Sequence, residues 1–119
     1  MKRLLLVDDE ALIALEMEAH IRSLGYNVIG PFARLDKALQ AVSTHAFEGA
    51  VLDINIRGGL IYPVAEILME RLIPFLLITG YAENTIEEKF RVCPILHKPF
   101  NIQKLTDMIN TTFGRMIDV

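Results

Sequence analysis

Five short hydrophobic runs alternate along the chain with longer stretches in which apolar residues recur every three or four positions. The runs are too short for helices, and we interpret them as buried strands, because a parallel strand covered on both faces is continuously hydrophobic. They are Lys2–Val7, Tyr26–Ile29, Ala50–Asp53, Phe75–Ile78 and Pro94–His97. Strands that alternate with helices predict a parallel α/β sheet with helices on both of its faces.

Four of the intervening stretches carry a clear apolar stripe at helical spacing. Acidic residues open the first of these helices and Gly25 ends it, while the third begins at Pro63 and runs to the break at Pro74. The four stripes are Ile13, Met17, Ile21 and Leu24; Leu35, Ala38, Leu39 and Val42; Val64, Ile67, Leu68 and Leu72; and Ile102, Leu105, Ile109 and Phe113.

A further helix, the fourth in chain order, is predicted over Ala82–Arg91. Its large apolar residues are Ile86 and Phe90, so its stripe is much thinner than those of the other helices. An element that buries so little apolar surface is held weakly, and weakly held elements are the ones that move. The segment after the fourth strand is therefore expected to be the mobile part of the domain.

Length and composition bound the class of protein. The chain has 119 residues, a net charge of −3 and one cysteine, which suits one domain, residues 1–119, without an internal disulfide. Its dispersed lysines and arginines form no basic patch for direct nucleic-acid binding, and no apolar stretch is long enough for a membrane span. The amino terminus lacks the long apolar core of a secretory signal, so we expect a cytoplasmic protein.

Polar side chains follow the predicted strands at their carboxyl ends, where open α/β sheets bind ligands. Asp8 and Asp9 follow the first strand, Asp53 ends the third, Thr79 follows the fourth and Lys98 follows the fifth. If the first and third strands are neighbours, three carboxylates meet within roughly 5 Å, and each like-charge pair costs about 3 kcal/mol. Such a cluster needs a cation. Its oxygen ligands favour Mg²⁺ over zinc, for which cysteine and histidine ligands are missing.

These residue types also suit phosphoryl transfer. A carboxylate beside Mg²⁺ can attack a phosphoryl group, while an ammonium and a hydroxyl stabilise the phosphoryl oxygens. Asp53, Lys98 and Thr79 supply those three groups. Taken singly, each has a structural alternative, since acids cap helices and lysine or threonine is ordinary in a turn. Together with Asp8 and Asp9, however, they make five such residues at the carboxyl ends of the predicted strands, and this coincidence favours the functional interpretation.

The same stretches resemble the receiver domains of two-component response regulators. The matching segments are LLLVDDE at the start, VLDI around Asp53, LLITG at Thr79 and HKPF at Lys98. The resemblance implies a doubly wound (βα)5 flavodoxin-like fold with strand order 2-1-3-4-5. It also implies that Asp53 is the phosphoacceptor and that Thr79 and Lys98 stabilise the phosphoryl group.

The resemblance further implies a metal site and protein partners. Asp9 would bind Mg²⁺ directly together with Asp53, Asp8 would bind it through water, and the backbone carbonyl of Asn55 would complete the site. The phosphate donor would be a sensor histidine kinase or a phosphotransfer protein. The output would be a changed binding surface, acting on a downstream protein or a fused output domain, so we do not expect an enzyme that turns over a metabolite.

The sequence departs from this family at one position of the expected switch. Most receivers carry a tyrosine or phenylalanine three residues before the lysine, and this chain has Ile95 there. The segment around Thr79 resembles in part a subgroup whose motif reads Phe-Ala-Thr-Gly-x-Tyr. We therefore expect Gly80, Tyr81 and Ile95 to form the switch region, with the response passing through the loop after Thr79 and the fourth predicted helix.

Three other functions are alternatives to phosphorelay signalling for a site of this composition. A phosphatase with an aspartyl nucleophile would usually have a second acid two residues later, where this chain has Asn55. A flavin carrier would need a hydroxyl-rich loop after the first strand, where this chain has Asp-Asp-Glu. A receiver that signals without phosphorylation is the more serious alternative, although the complete set of site residues argues against it.

Overall fold

In the computed structural model, which describes residues 2–114, the five hydrophobic runs form one parallel sheet. The strands are β1 (Arg3–Val7), β2 (Asn27–Phe32), β3 (Gly49–Asp53), β4 (Phe75–Thr79) and β5 (Ile95–His97). Their order across the sheet is β2-β1-β3-β4-β5, and each neighbouring pair is parallel. The predicted flavodoxin-like fold and its strand order 2-1-3-4-5 are confirmed.

Helices cover both faces of this sheet and create two hydrophobic layers. Within the described residues these helices are α1 (Ala11–Ser23), α2 (Leu35–Thr44), α3 (Tyr62–Glu70) and α4 (Ile102–Phe113). The apolar residues of α1 and α4 pack on one face, and those of α2 and α3 pack on the other. No helix in residues 2–114 is both long enough and apolar enough to cross a membrane.

The predicted helix Ala82–Arg91 is wrong. The structure instead has two single 3-10 turns, Glu83–Thr85 and Glu88–Phe90, and between them the backbone of Ile86 is extended (φ −82°, ψ 138°). This irregular path buries both large apolar side chains, leaving Ile86 2% and Phe90 0% exposed. Two apolar residues give a helix too little surface to bury, so tertiary packing of each side chain determines the local backbone.

The end of α3 also differs from the prediction. The helix ends at Glu70, and Leu72, which the periodicity assigns to the core, is 90% exposed with φ +58°. This left-handed residue terminates the helix, because the amides of Leu72 and Ile73 then bond back to the carbonyls of Met69 and Leu68. Ile73 packs against the core instead of Leu72.

The segment between β3 and α3 contains a small antiparallel hairpin. Asn55–Ile56 pairs with Gly59–Leu60 across a turn formed by Arg57 and Gly58, and both Gly58 and Gly59 have positive φ. Backbone hydrogen bonds of Arg57 attach the hairpin to the connection between β2 and α2. The hairpin therefore forms an ordered wall beside the carboxyl end of β3.

Candidate functional site

The carboxyl ends of three adjacent strands bring buried polar side chains together. Asp8 follows β1, Asp53 ends β3 and Thr79 ends β4. These side chains are almost completely buried, with 2%, 4% and 1% of their respective residue surfaces exposed. No other charged residue within 2–114 is buried to this degree. The sequence prediction that these residues share one edge of the sheet is thus met by the geometry.

Lys98 joins this group from the next strand. It follows β5, and its side chain reaches past the end of β4 to place Nζ 3.1 Å from Asp53 Oδ2. The same Nζ is 3.7 Å from Asp8 Oδ2 and 2.6 Å from Glu10 Oε1. The backbone amide of Lys98 donates to the carbonyl of Thr79 at 2.8 Å, which fixes the start of the lysine side chain.

Glu10 is the site residue that sequence reasoning missed. The sequence pattern assigns it to the acids that open α1, and it does precede that helix, but its side chain makes no capping hydrogen bond. Its carboxylate instead pairs with Lys98, and its amide donates to Asp8 Oδ1 at 2.8 Å. A third acid directly after the Asp8–Asp9 pair was the available signal. Nothing in the sequence indicates that its side chain turns towards Lys98.

The carboxylates form a site that fits a hard divalent cation. One oxygen from each of Asp8, Glu10 and Asp53 lies within 4.8 Å of the others. Asp8 Oδ2 is buried and has no hydrogen-bond partner, because Lys98 Nζ at 3.7 Å is too distant to donate to it. An orphaned buried carboxylate oxygen among other oxygen donors suits Mg²⁺ or a similar ion.

Two further predicted metal ligands lie at the margin of this cluster. Asp9 is half-buried next to Asp8, and its carboxylate is not among the three oxygens that converge. Asn55 lies two residues after the end of β3 and lines a cavity of about 230 Å³ beside Thr79. The roles of Asp9 as direct ligand and of the Asn55 carbonyl remain predictions.

Crowded charges shift the acid–base properties of the site. Burial and the neighbouring charge of Asp8 raise the pKa of Asp53 from 3.8 to about 7, against the opposing influence of Lys98. Burial likewise raises the pKa of Asp8, although the Glu10 amide and Lys98 oppose the shift. Burial alone would lower the pKa of Lys98, but its bond to Glu10 and the charges of Asp53 and Asp8 raise it. The ammonium stays charged, while the buried carboxylates repel each other.

The predicted switch residues surround Thr79 unequally. The amide of Tyr81 donates to Thr79 Oγ1 at 3.1 Å, and Tyr81 itself is 59% exposed at the edge of the cavity. A Cβ placed on Gly80 would meet no atom within 4 Å. Ile95 is half-buried and packs against the layer formed by α2 and α3. Thr79 is therefore connected directly to the loop that follows it.

That loop is anchored to α3 by a few contacts. The ring of Phe90 stacks on Tyr62 at a centroid distance of 5.0 Å, and the amide of Glu87 donates to the Tyr62 hydroxyl at 3.1 Å. Lys89 and Glu66 form an exposed ion pair at 2.5 Å. The other side chains between residues 81 and 89, apart from Ile86, are exposed. Few buried contacts thus hold a segment that starts beside Thr79.

Proteins of known structure share this fold and arrangement of elements. SdrG from Sphingomonas melonis Fr1 is 34% identical to this chain. The match covers 92% of this chain and 93% of SdrG, with a TM-score of 0.80. The response regulator PhyR from Brucella abortus is 31% identical over 93% of this chain and 47% of its own, also with a TM-score of 0.80. TrrA from Thermotoga maritima, solved in complex with Mg²⁺-BeF, shows the same fold at 23% identity. The match covers 93% of this chain and 98% of TrrA, with a TM-score of 0.79.

Curated relatives are longer than this chain. PdtaR from Mycobacterium tuberculosis, a transcriptional regulatory protein, is 25% identical, and the match spans 99% of this chain but 60% of PdtaR. No family model matches the sequence. The identity to SdrG over almost the whole of both chains, together with the fold shared with PhyR, establishes the relationship. The chain belongs to the receiver domains of response regulators.

Proposed function

We propose that this domain is the phosphoacceptor of a two-component phosphorelay and that Asp53 receives the phosphoryl group. One observation carries the proposal: the buried carboxylate of Asp53 lies 3.1 Å from the ammonium of Lys98 and beside an acid whose buried oxygen has no partner. A nucleophile, a fixed positive charge and unused ligand oxygens are the components that phosphoryl transfer needs.

In the proposed reaction an Asp53 carboxylate oxygen attacks the phosphorus atom of the donor. The new oxygen–phosphorus bond forms an acyl phosphate, and the bond from phosphorus to the donor breaks with its electron pair leaving on the donor. Lys98 is placed to neutralise charge on the phosphoryl oxygens, and the hydroxyl of Thr79 can donate to one of them while still accepting from Tyr81.

Asp8, Asp9 and Asp53, with the backbone carbonyl of Asn55, are the proposed holders of Mg²⁺. When bound, the ion would neutralise charge on the carboxylates and on the phosphoryl oxygens. The unpartnered oxygen of Asp8 and the approach of Asp8 and Asp53 oxygens to within 4.8 Å support the roles of these two residues, while the roles of Asp9 and Asn55 rest on the family resemblance. That TrrA, which has the same fold, was solved with Mg²⁺-BeF gives further support.

We place the response in the loop after β4 and not at Ile95. Thr79 is bonded to the Tyr81 amide, and beyond it the chain is attached mainly through Ile86 and Phe90. A hydroxyl that turns towards the phosphoryl group while it keeps its bond to the Tyr81 amide would move the start of this loop with it. An aliphatic Ile95 cannot provide the aromatic ring that turns inward in most receivers.

The proposed partners follow from this chemistry. A sensor histidine kinase or a phosphotransfer protein donates the phosphoryl group, and a downstream protein or fused output domain reads the changed surface. The domain then catalyses only its own modification, and signalling is its output. We propose a cytoplasmic location, where histidine kinases present their phosphoryl groups.

Reaction with a small donor tests the proposal. Incubation with Mg²⁺ and acetyl phosphate should add one phosphoryl group to the intact protein, in a linkage that is stable to acid and labile to base. Asp53→Asn should remove the adduct, and the exposed Asp107→Asn, on α4, should retain it. A native chain that stays unmodified with both acetyl phosphate and phosphoramidate would instead support a receiver that works without phosphorylation.

A further inference from the structure

The shortest ion pair of Lys98 is with Glu10 and not with the proposed phosphoacceptor. Lys98 Nζ lies 2.6 Å from Glu10 Oε1, compared with 3.1 Å from Asp53 Oδ2. The lysine side chain is 15% exposed, so this contact is shielded on the lysine side, whereas the Glu10 side chain is 53% exposed. The pair joins the loop after β1 to the loop after β5.

Glu10 is held in place from both ends. Its amide donates to Asp8 Oδ1 at 2.8 Å, and its carbonyl accepts the first hydrogen bond of α1 from Ala14. An acid in this position commonly bonds the free amides of the first turn, yet the Glu10 carboxylate makes no such bond. Its carboxylate is therefore committed to Lys98 in this structure.

Phosphorylation requires Lys98 to make a new hydrogen bond. Its ammonium has three N–H donors, and it must direct one of them to an oxygen of the incoming phosphoryl group. A short charge-assisted bond to Glu10 resists that movement. We propose that Glu10 is a positioning residue that restrains Lys98 in the resting domain and thereby slows the formation of the aspartyl phosphate. This inference rests on the proposed role of Asp53 as phosphoacceptor.

Electrostatic repulsion between Glu10 and the donor is the alternative explanation, and the test must distinguish it from restraint of Lys98. An oxygen of Glu10 lies within 4.8 Å of oxygens of Asp8 and Asp53, so its charge also repels an anionic donor. Capture of Lys98 requires the reach of a glutamate, whereas repulsion requires only a negative charge nearby. Shortening the side chain by one methylene would move the carboxylate from 2.6 Å to about 4 Å from Nζ.

Three variants of the full chain test the inference, with acetyl phosphate as donor at saturating Mg²⁺. Glu10→Ala releases Lys98 and removes the charge, and Glu10→Asp releases Lys98 but keeps the charge. We expect both to form the adduct about two to five times faster than the native chain, which is the range for losing one partly exposed ion pair. Glu16→Gln removes an exposed carboxylate of α1 that forms no ion pair with Lys98, and its rate should match the native rate.

Each other outcome overturns the inference. A native-like rate in Glu10→Ala would show that the ion pair does not limit the reaction, and a slower rate would show that Glu10 assists it. A fast Glu10→Ala with a native-like Glu10→Asp would assign the effect to charge alone. Urea unfolding of each variant confirms that the folded domain is compared. If the native chain forms no adduct at all, the proposed function itself fails, which is a separate result.

Discussion

The crowded carboxylates make a prediction about stability that needs no donor or partner. In the absence of Mg²⁺, an ionised Asp53 is buried next to Asp8, so the folded state is destabilised at neutral and alkaline pH. Asp53→Asn removes that charge, and its amide oxygen can still accept a hydrogen bond from Lys98. We therefore expect the variant to be more stable than the native domain, although it loses the central residue of the site.

Two estimates from the structure limit how much Asp53→Asn can raise the unfolding free energy. One like-charge pair at 4.8 Å costs roughly 3 kcal/mol at an effective dielectric constant near 20. The rise in the pKa of Asp53 from 3.8 to about 7 corresponds to about 4 kcal/mol at a pH above both values, and it already includes the opposing effect of Lys98. Because Asp8 and Asp53 share this repulsion, we expect Asp53→Asn to raise the unfolding free energy by about 2 to 4 kcal/mol.

The pH dependence of the unfolding free energy tests independently whether the ionised Asp53 carboxylate destabilises the folded state. The folded pKa of Asp53 lies above its unfolded value, so between about pH 4 and pH 7 the folded state binds more protons than the unfolded state. The native domain should therefore lose stability as the pH rises through this window, and the advantage of Asp53→Asn should be greatest at about pH 8 and should disappear towards pH 4. Urea unfolding in EDTA at a series of pH values measures both quantities.

A matched substitution provides the control for this experiment. Asp107→Asn removes one charge from the exposed surface of α4, and it should change the unfolding free energy by less than about 0.5 kcal/mol at each pH. An Asp53→Asn domain that is no more stable than the native one at pH 8 would refute the reasoning. It would mean that Lys98 fully compensates the buried carboxylates.

Three further predictions concern the site and its loop. Millimolar Mg²⁺ should raise the unfolding free energy of the native domain by about 1 to 3 kcal/mol, and Asp8→Asn should remove most of this gain. An equal gain in the native domain and the variant would exclude Asp8 from the metal site. Thr79→Ala should still form the adduct, but hydrogen exchange at the Tyr81 amide should become faster in the resting state, and unchanged exchange would contradict the observed bond. Phe90→Ala should lower the unfolding free energy by about 3 kcal/mol in urea, because the buried ring stacks on Tyr62, and a loss below about 1 kcal/mol would contradict that packing.

The hydrophobic pattern predicts those parts of the fold that depend on burial alone. Each strand is a continuous apolar run because both faces of the sheet are covered, so sequence locates all five. The convergence of Asp8, Asp53, Thr79 and Lys98 follows from strand polarity and from the order of the strands across the sheet. That order came from the resemblance to receiver domains, since periodicity carries no information about which strands are neighbours.

Features that depend on single tertiary contacts could not be predicted in this way. Helical spacing of Ile86 and Phe90 suggests a helix, but the two side chains are buried from separate 3-10 turns. Leu72 fits the stripe of α3, yet a left-handed residue is needed there to end the helix. The position of the Glu10 carboxylate depends on Lys98, which is 88 residues away in sequence.

Chemical trapping at position 53 tests the central claim most directly. After incubation with acetyl phosphate and Mg²⁺, reduction with borohydride converts an aspartyl phosphate into homoserine, which peptide mass spectrometry locates. We predict homoserine at residue 53 of the native chain, none when acetyl phosphate or Mg²⁺ is omitted, and none at that position in Asp53→Asn. Homoserine at Asp8 or Asp9 instead, or an adduct that borohydride does not reduce, would contradict the assignment of Asp53 as the phosphoacceptor.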